Sequence, residues 1–308
     1  MPNNVNININ PISSPTPTKT AQFAPSPQTA LANDLIYWTN NDTKASHQPM
    51  PVGGPANKWV TQPVVAKDPN DTMGLGTYTT NTVSFLSGTT KQGIPYTCAL
   101  HPGEQGTLVV LNYVNITPNP GASTTDPQIL FNGGNPTTVK VNEAFIFTNG
   151  DSNYDNSPAK HEHWPMPSGG DKRAWVQSAI QPGYSSPPIS VAQPTVTDGL
   201  TYECALHPDE TGTLVVAVNI DINGNANTGA PAVFAPNPQT VGVNQAFIFT
   251  NNDIQPHQPM PSGGTEDEWT GPISPGQPSG PISISAASSG INYVCALHAN
   301  EKGVLIVK

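Results

Sequence analysis

The chain has 308 residues, of which 35 are Pro and 27 Gly; only 10% are charged, and the formal net charge is −10. Pro and Gly at about one residue in five exclude long helices and fit short strands joined by many turns. The scarcity of Lys and Arg argues against nucleic acid and anionic membrane surfaces, while a protein partner with a basic face suits the net charge. No 18-residue apolar run exists, so no membrane span is expected.

Residues 1–20 are rich in Asn, Pro, Ser and Thr and are expected as an extended tail. Within them Val5, Ile7 and Ile9 alternate with Asn6, Asn8 and Asn10, which is the period of a strand. That pattern suits a strand donated to a neighbouring subunit or an open sheet edge, a route to self-assembly.

The rest of the chain repeats itself three times. Phe23, Phe131 and Phe234 mark the openings, and the runs at 138–141 and 240–243 follow in the second and third copies. Next comes Ala-Phe-Ile-Phe-Thr-Asn at 144–149 and 246–251, with a looser version at 35–40. Each copy then carries an Asp (Asp42, Asp151, Asp253) and a His-x-Pro-Met-Pro motif opened by His47, His163 or His257. A Gly-Gly pair and a Trp (Trp59, Trp175, Trp269) precede a Pro-rich segment. Each copy closes on Tyr-x-Cys-x-x-His-x-x-Glu-x-Gly, at 96–106, 202–212 and 293–303, followed by an apolar run.

Linkers are expected at 117–126 and 221–230, giving domains at 21–116, 127–220 and 231–308. The apolar runs are short, rich in Val, Ile and Phe, and bounded by turn formers, as in a sandwich or barrel. The expected fold is all-β: three tandem Greek-key β-sandwiches behind an N-terminal extended tail.

Six of the seven histidines belong to the repeats, and His161 alone is spare. The three cysteines, Cys98, Cys204 and Cys295, stand about one domain apart, which rules out a disulfide framework. A His, Cys, His set that recurs three times reads as a metal site. Two imidazoles and one thiolate make a trigonal soft set that favours copper and leaves an axial position open.

In these motifs the chain resembles three tandem cupredoxins, similar to the plastocyanin, amicyanin and halocyanin group. That family sets its first His after an Asn-x-Asp loop, as in Asn251-Asn252-Asp253 before His257. It sets Cys, His and an axial Met on one loop, as Tyr-x-Cys-x-x-His-Pro-x-Met-x-Gly. Residues 96–106 and 202–212 match this except at the Met, and the third copy also has Ala299 for the Pro. The resemblance implies three copper ions, one per domain, held by His47, Cys98 and His101; His163, Cys204 and His207; and His257, Cys295 and His298. It also implies a single-electron carrier that works outside the cytoplasm, although the N-terminus shows no signal peptide.

Where the family has Met, this chain has Glu104, Glu210 and Glu301. A carboxylate is a hard, anionic donor. With Cys and Glu both ionised, a Cu(II) site is formally neutral and a Cu(I) site carries an extra negative charge, which is costly to bury. Axial Glu therefore favours the oxidised state and admits zinc as a substitute. Two alternatives stand beside it. The Glu faces solvent and the ion is three-coordinate, or Met50, Met166 and Met260 supply the thioether rather than packing as apolar cover. The recurrent Trp and Tyr residues are expected in the core. His161 is expected as a surface residue or part of a second, weaker site.

Three functions follow: electron transfer, copper sequestration or delivery, and a metal-stapled assembly protein. An enzyme is not expected, because one spare His cannot build the further centres of multicopper oxidases, and no phosphate-binding or Ser-His-Asp signature appears.

Overall fold

A computed structural model of the chain describes residues 2–54, 58–71, 76–120, 129–151, 161–225, 230–265 and 268–308. The described residues are all-β apart from one 3₁₀ turn at Asn132–Gly134. They fall into two compact units, Met1–Asn112 and Tyr113–Lys308.

The first unit contains β1 (Asn4–Thr16), β2 (Lys19–Ala24), β3 (Gln28–Leu31), β4 (Leu35–Asn40), β5 (Pro49–Pro51), β6 (Ile94–Cys98) and the first part of β7 (Gln105–Pro118). β1 lies between β2, antiparallel, and β4, parallel, with Ile9 opposite Phe23 and Ile7 opposite Trp38. Facing this sheet is a second one, in which β7 pairs with β3 and β6, and β6 with β5. Ile7, Ile9, Phe23, Trp38, Trp59 and Tyr96 fill the space between.

Residues 4–16 are therefore neither a tail nor a donated strand. Ile7 and Ile9 are fully buried within their own unit, and burial of each is worth about 1.5–3 kcal/mol. The Asn residues form the other face, where Asn6 accepts from Thr39 Oγ1 and Asn41 donates to Asn8 and Asn10. Composition misleads here because it weighs the outward face alone.

The second unit holds two further sandwiches, each with its own core. The first uses the rest of β7 with β8 (Ile129–Phe131), β9 (Thr137–Lys140), β10 (Phe145–Asn149), β11 (Pro165–Pro167), β12 (Leu200–Cys204) and β13 (His207–Asn225). The second uses β14 (Ala230–Ala235), β15 (Gln239–Val241), β16 (Phe247–Asn251), β17 (Pro259–Pro261), β18 (Ser288–Cys295) and β19 (Lys302–Val307).

β13 belongs to both. Its first half pairs with β12 and β9, and its second half with β14 and β16. The closing strand of one sandwich thus runs on as the opening strand of the next. The expected linkers are corrected accordingly: Thr117 and Pro118 lie in β7, Asp221 in β13 and Ala230 in β14, while 121–128 and 226–229 lie outside the described residues. Register also exposes a further repeat. Ile9 faces Phe23 as Ile222 faces Phe234, so Val-Asn-Ile-Asn-Ile-Asn at 5–10 corresponds to Val-Asn-Ile-Asp-Ile-Asn at 218–223. Where β13 passes between sandwiches, its outward Val215 and Ala217 bury against Ala246 and Ile248. Burial on both faces explains the unbroken apolar run there.

The glycine that ends each closing motif has a steric reason. Tyr96, Tyr202 and Tyr293 stand directly opposite Gly106, Gly212 and Gly303. A Cβ at any of these glycines would overlap the tyrosine ring.

Candidate metal centre

Each centre draws on two loops of one sandwich. The first loop carries His47, just before β5, and two mutual backbone bonds with Val64 pin it: His47 N to Val64 O at 3.0 Å and Val64 N to His47 O at 2.8 Å. His163 with Ile180 and His257 with Ile273 repeat this pairing. Asn40 shapes the same loop, accepting from Asp42 N and donating to the carbonyls of Ala45 and Val65. This is the local reason for Asn-x-Asp, since the Asn side chain satisfies backbone groups that the turn leaves unpaired.

The second loop joins β6 to β7. Cys98 ends β6 opposite Pro49 of β5, and Gln48 N–H donates to its Sγ at 3.4 Å. Trp164 N and Gln258 N do the same for Cys204 and Cys295, at 3.3 Å each. Glu104 N bonds back to His101 O, and Cys98 N to Glu104 O. That tight turn brings His and Glu over the thiol.

The structure gathers the expected residues into three groups: His47, Cys98, His101 and Glu104; His163, Cys204, His207 and Glu210; His257, Cys295, His298 and Glu301. Within each group the donor atoms lie within 4.8 Å of one another. Cys98 Sγ is 3.8 Å from His47 Nδ1 and 3.7 Å from His101 Nδ1. The corresponding distances are 3.8 and 3.5 Å at both Cys204 and Cys295. Glu Oε2 meets the first His Nδ1 at 2.8, 2.9 and 2.8 Å. Donors sharing one ion at bonds of about 2.0–2.3 Å sit roughly 3–4 Å apart. The residues therefore fit a single metal ion of the kind that N and S ligands prefer, and copper suits two imidazoles with a thiolate.

Glu104 is 0% exposed and Glu210 and Glu301 4%, so these carboxylates point inward rather than to solvent. The methionines lie elsewhere. Met50 stands opposite Thr97 while its neighbour Pro49 stands opposite Cys98. Successive residues of a strand face opposite ways, so Met50 points away from the thiol, as do Met166 and Met260 by the same register. Trp59, Trp175 and Trp269 stack on Trp38, Phe147 and Phe249 in the cores.

Two sets of supporting residues were not assigned from sequence. Asp42, Asp151 and Asp253 accept from the Nε2 side of the first His, at 3.3, 3.3 and 2.9 Å. Their regular place after the Asn was the available signal. Glu104 Oε1 accepts from Thr20 N, Thr20 Oγ1 and Ala21 N, and Glu301 Oε1 from Ala232 N. Two of the three donors to Glu104, and the donor to Glu301, are backbone amides, which no side-chain motif reveals. His161 lies at 2.8 Å from Asp151 Oδ2, the oxygen that also faces His163.

Burial disfavours ionisation at every centre, but pairing outweighs it. His47 is raised to about 10 by Cys98 and Glu104 despite burial, and His163 to about 9 by Cys204 and Glu210. Cys204 is lowered to about 6, since hydrogen bonds with His163 and His207 overcome its desolvation. Glu104 is lowered to about 2, because His47 and the Thr20 and Ala21 amides overcome its burial. The buried His side chains are 0% exposed, whereas His101, His207 and His298 reach 16%, 29% and 35%. One imidazole edge per centre thus meets the surface.

No family model and no curated protein matches the chain. Among solved structures it is similar to amicyanin from Paracoccus versutus (Thiobacillus versutus), at 21% identity over 30% of this chain and 81% of that one, with a TM-score of 0.25. It is also similar to a reduced tryptophan-to-tyrosine mutant of amicyanin, at 17% identity over 30% and 82%, with a TM-score of 0.25. In the two loops that supply His and Cys-x-x-His, the repeats resemble the cupredoxin pattern, with Glu where that pattern has Met.

Proposed function

We propose that each centre binds one copper ion through two His, one Cys and one Glu, and that the protein carries single electrons. The observation behind this is the build of the centre, repeated three times. Three donors are buried and held by backbone or carboxylate partners, and the fourth, an imidazole, has an edge at the surface. Copper bound there supplies one-electron chemistry. The chain's part is to keep the donors still as charge changes. Gln48 N–H steadies the Cys98 thiolate, Asp42 orients His47, and Thr20 and Ala21 fix the Glu104 carboxylate. A carboxylate fixed in this way has little freedom to change its coordination with redox state.

The surface edge sits beside an exposed Leu in each copy: Leu100, Leu206 and Leu297, at 47%, 43% and 46%. A brief encounter with a redox protein that presents apolar and basic groups fits this edge and the net charge of −10. In the same reading the protein works outside the cytoplasm, zinc is a substitute ion, and no catalysis is assigned.

The test is the spectrum of the copper-loaded protein together with its electron self-exchange. An intense thiolate-to-copper absorption at up to three equivalents, with rapid self-exchange, is expected. Absence of the band sinks the ligand assignment. A full band with negligible self-exchange points to sequestration or delivery.

A further inference from the structure

We infer that the centres differ in reduction potential, the third lying below the first, and that residues outside the donor set fix the order. This rests on the copper reading above. The four inner donors are the same in each copy, so any difference comes from what holds them.

The first such group is the aspartate behind the buried His. Nδ1 faces the thiol, which leaves the Nε2 side to the carboxylate. A carboxylate there strengthens the imidazole as a donor and favours the more highly charged ion. In the third centre Asp253 Oδ2 approaches His257 Nε2 at 2.9 Å. In the first the separation is 3.3 Å. In the second it is again 3.3 Å, and the same oxygen is engaged by His161 Nδ1 at 2.8 Å. His161 thus draws on the charge that would otherwise serve His163.

The second group is the strand behind the Glu. Ala21 and Ala232 each stand two residues before the Phe that faces the opening strand, Phe23 or Phe234. In the first copy the preceding residue is Thr20, and Glu104 Oε1 receives three hydrogen bonds, at 3.0, 3.0 and 2.8 Å. In the third copy that residue is Pro231, which has neither an N–H nor a hydroxyl, and Ala232 N at 2.8 Å remains. Hydrogen bonds to a carboxylate already satisfy part of its charge. Glu301 therefore retains more negative charge for a cation than Glu104. Between the first and third copies both groups act in the same direction: the third centre stabilises Cu(II) better than the first.

Pro231 and His161 are positioning residues, and both can be changed without touching a donor. The experiment is a redox titration of the fully copper-loaded chain, followed at the thiolate-to-copper band. Separate one-electron steps are expected, the one missing in Cys295→Ser lying below the one missing in Cys98→Ser. Pro231→Thr should raise the step missing in Cys295→Ser and His161→Ala should lower the step missing in Cys204→Ser, each with the band intact. A tenfold change in the Cu(II)/Cu(I) ratio, about 59 mV for one electron, is the expected size. Should a Cys variant fail to fold, the two outer substitutions still identify their steps by moving them. Coincident midpoints in the unaltered protein, or midpoints that neither outer substitution moves, would overturn the inference. If no thiolate-to-copper band forms, the copper reading fails instead.

Discussion

Glu104 Oε2 meets His47 Nδ1 at 2.8 Å with both side chains at 0% exposure, and this buried pair governs the metal-free first centre. His47 is raised from 6.5 to about 10, so its contribution to stability is complete below 6.5 and is lost as pH rises through about 10. Glu104 is lowered from 4.5 to about 2, so its contribution is complete above 4.5 and is lost as pH falls through about 2. The pair therefore favours folding most between pH 4.5 and 6.5. Thermal unfolding of the metal-free protein with chelator present should show its highest midpoint in that window and decline on both sides. In the second centre Cys204, lowered from 9.0 to about 6, opposes the decline at higher pH. A midpoint that climbs steadily from pH 4 to 9 would contradict this account of the pair.

Copper uptake should release protons. At neutral pH His47, His163, His207 and His257 are all protonated in the metal-free centres, being raised to about 9–10, and an ion requires the bare ring nitrogen. Affinity should rise with pH until these groups have titrated. Titration calorimetry at pH 7 in buffers of different ionisation enthalpy would read the released protons directly, and an apparent enthalpy independent of buffer would refute the release.

The core faces and the grouping of the His, Cys and Glu residues were legible in the sequence, because each rests on side-chain identity. Cys98 with His101 and Glu104 sits on one short loop, and His47 comes from a motif that recurs in step with it. What stayed hidden depends on pairing. Whether 5–10 is tail or strand is settled by the partners of β1, not by its Asn-rich composition. The passage of β13 from one sandwich to the next has no local mark, since Asn and Gly near its end read as a turn wherever they fall. The grip on Glu104 comes largely from Thr20 and Ala21 amides, which every residue but proline carries.

Replacing the axial carboxylate should cost unequal stability in the first and third copies. Glu104→Met leaves Thr20 N, Thr20 Oγ1 and Ala21 N without their acceptor, whereas Glu301→Met strands Ala232 N. An unsatisfied buried donor costs roughly 1–3 kcal/mol. Chemical unfolding of the two metal-free variants should place Glu104→Met lower by about that amount, and equal losses would mean that water replaces the missing acceptor. In the copper-loaded form both changes should raise the potential of the altered centre, because a neutral soft donor replaces an anionic hard one.

β1 is a core strand of the first unit, so it should be costly to damage. Ile9 is fully buried opposite Phe23, and removing such a side chain to Ala costs about 2–5 kcal/mol. Ile9→Ala should lower the unfolding free energy accordingly, while Asn10→Ala, on the outward face, should change it little. If Ile9→Ala leaves stability untouched, the segment does not belong to the core.

Gly303→Ala should disturb fold and centre together. Gly303 faces Tyr293 across β18 and β19, and an added Cβ would overlap its ring. The ring has little room to yield, since Phe234, Phe249 and Trp269 lie 4.9, 5.5 and 5.6 Å from it, centroid to centroid. Forcing a side chain into a packed core typically costs about 1–3 kcal/mol. Tyr293 precedes Cys295 on the same strand face, so the shift reaches the thiol, and copper occupancy of the third centre should fall along with stability. Gly280 offers the control: nothing lies within 4 Å of a Cβ built there, so Gly280→Ala should stay within about 0.5 kcal/mol of the unaltered protein. Comparable losses from both substitutions would show that the Gly303 effect comes from the backbone rather than from the tyrosine above it.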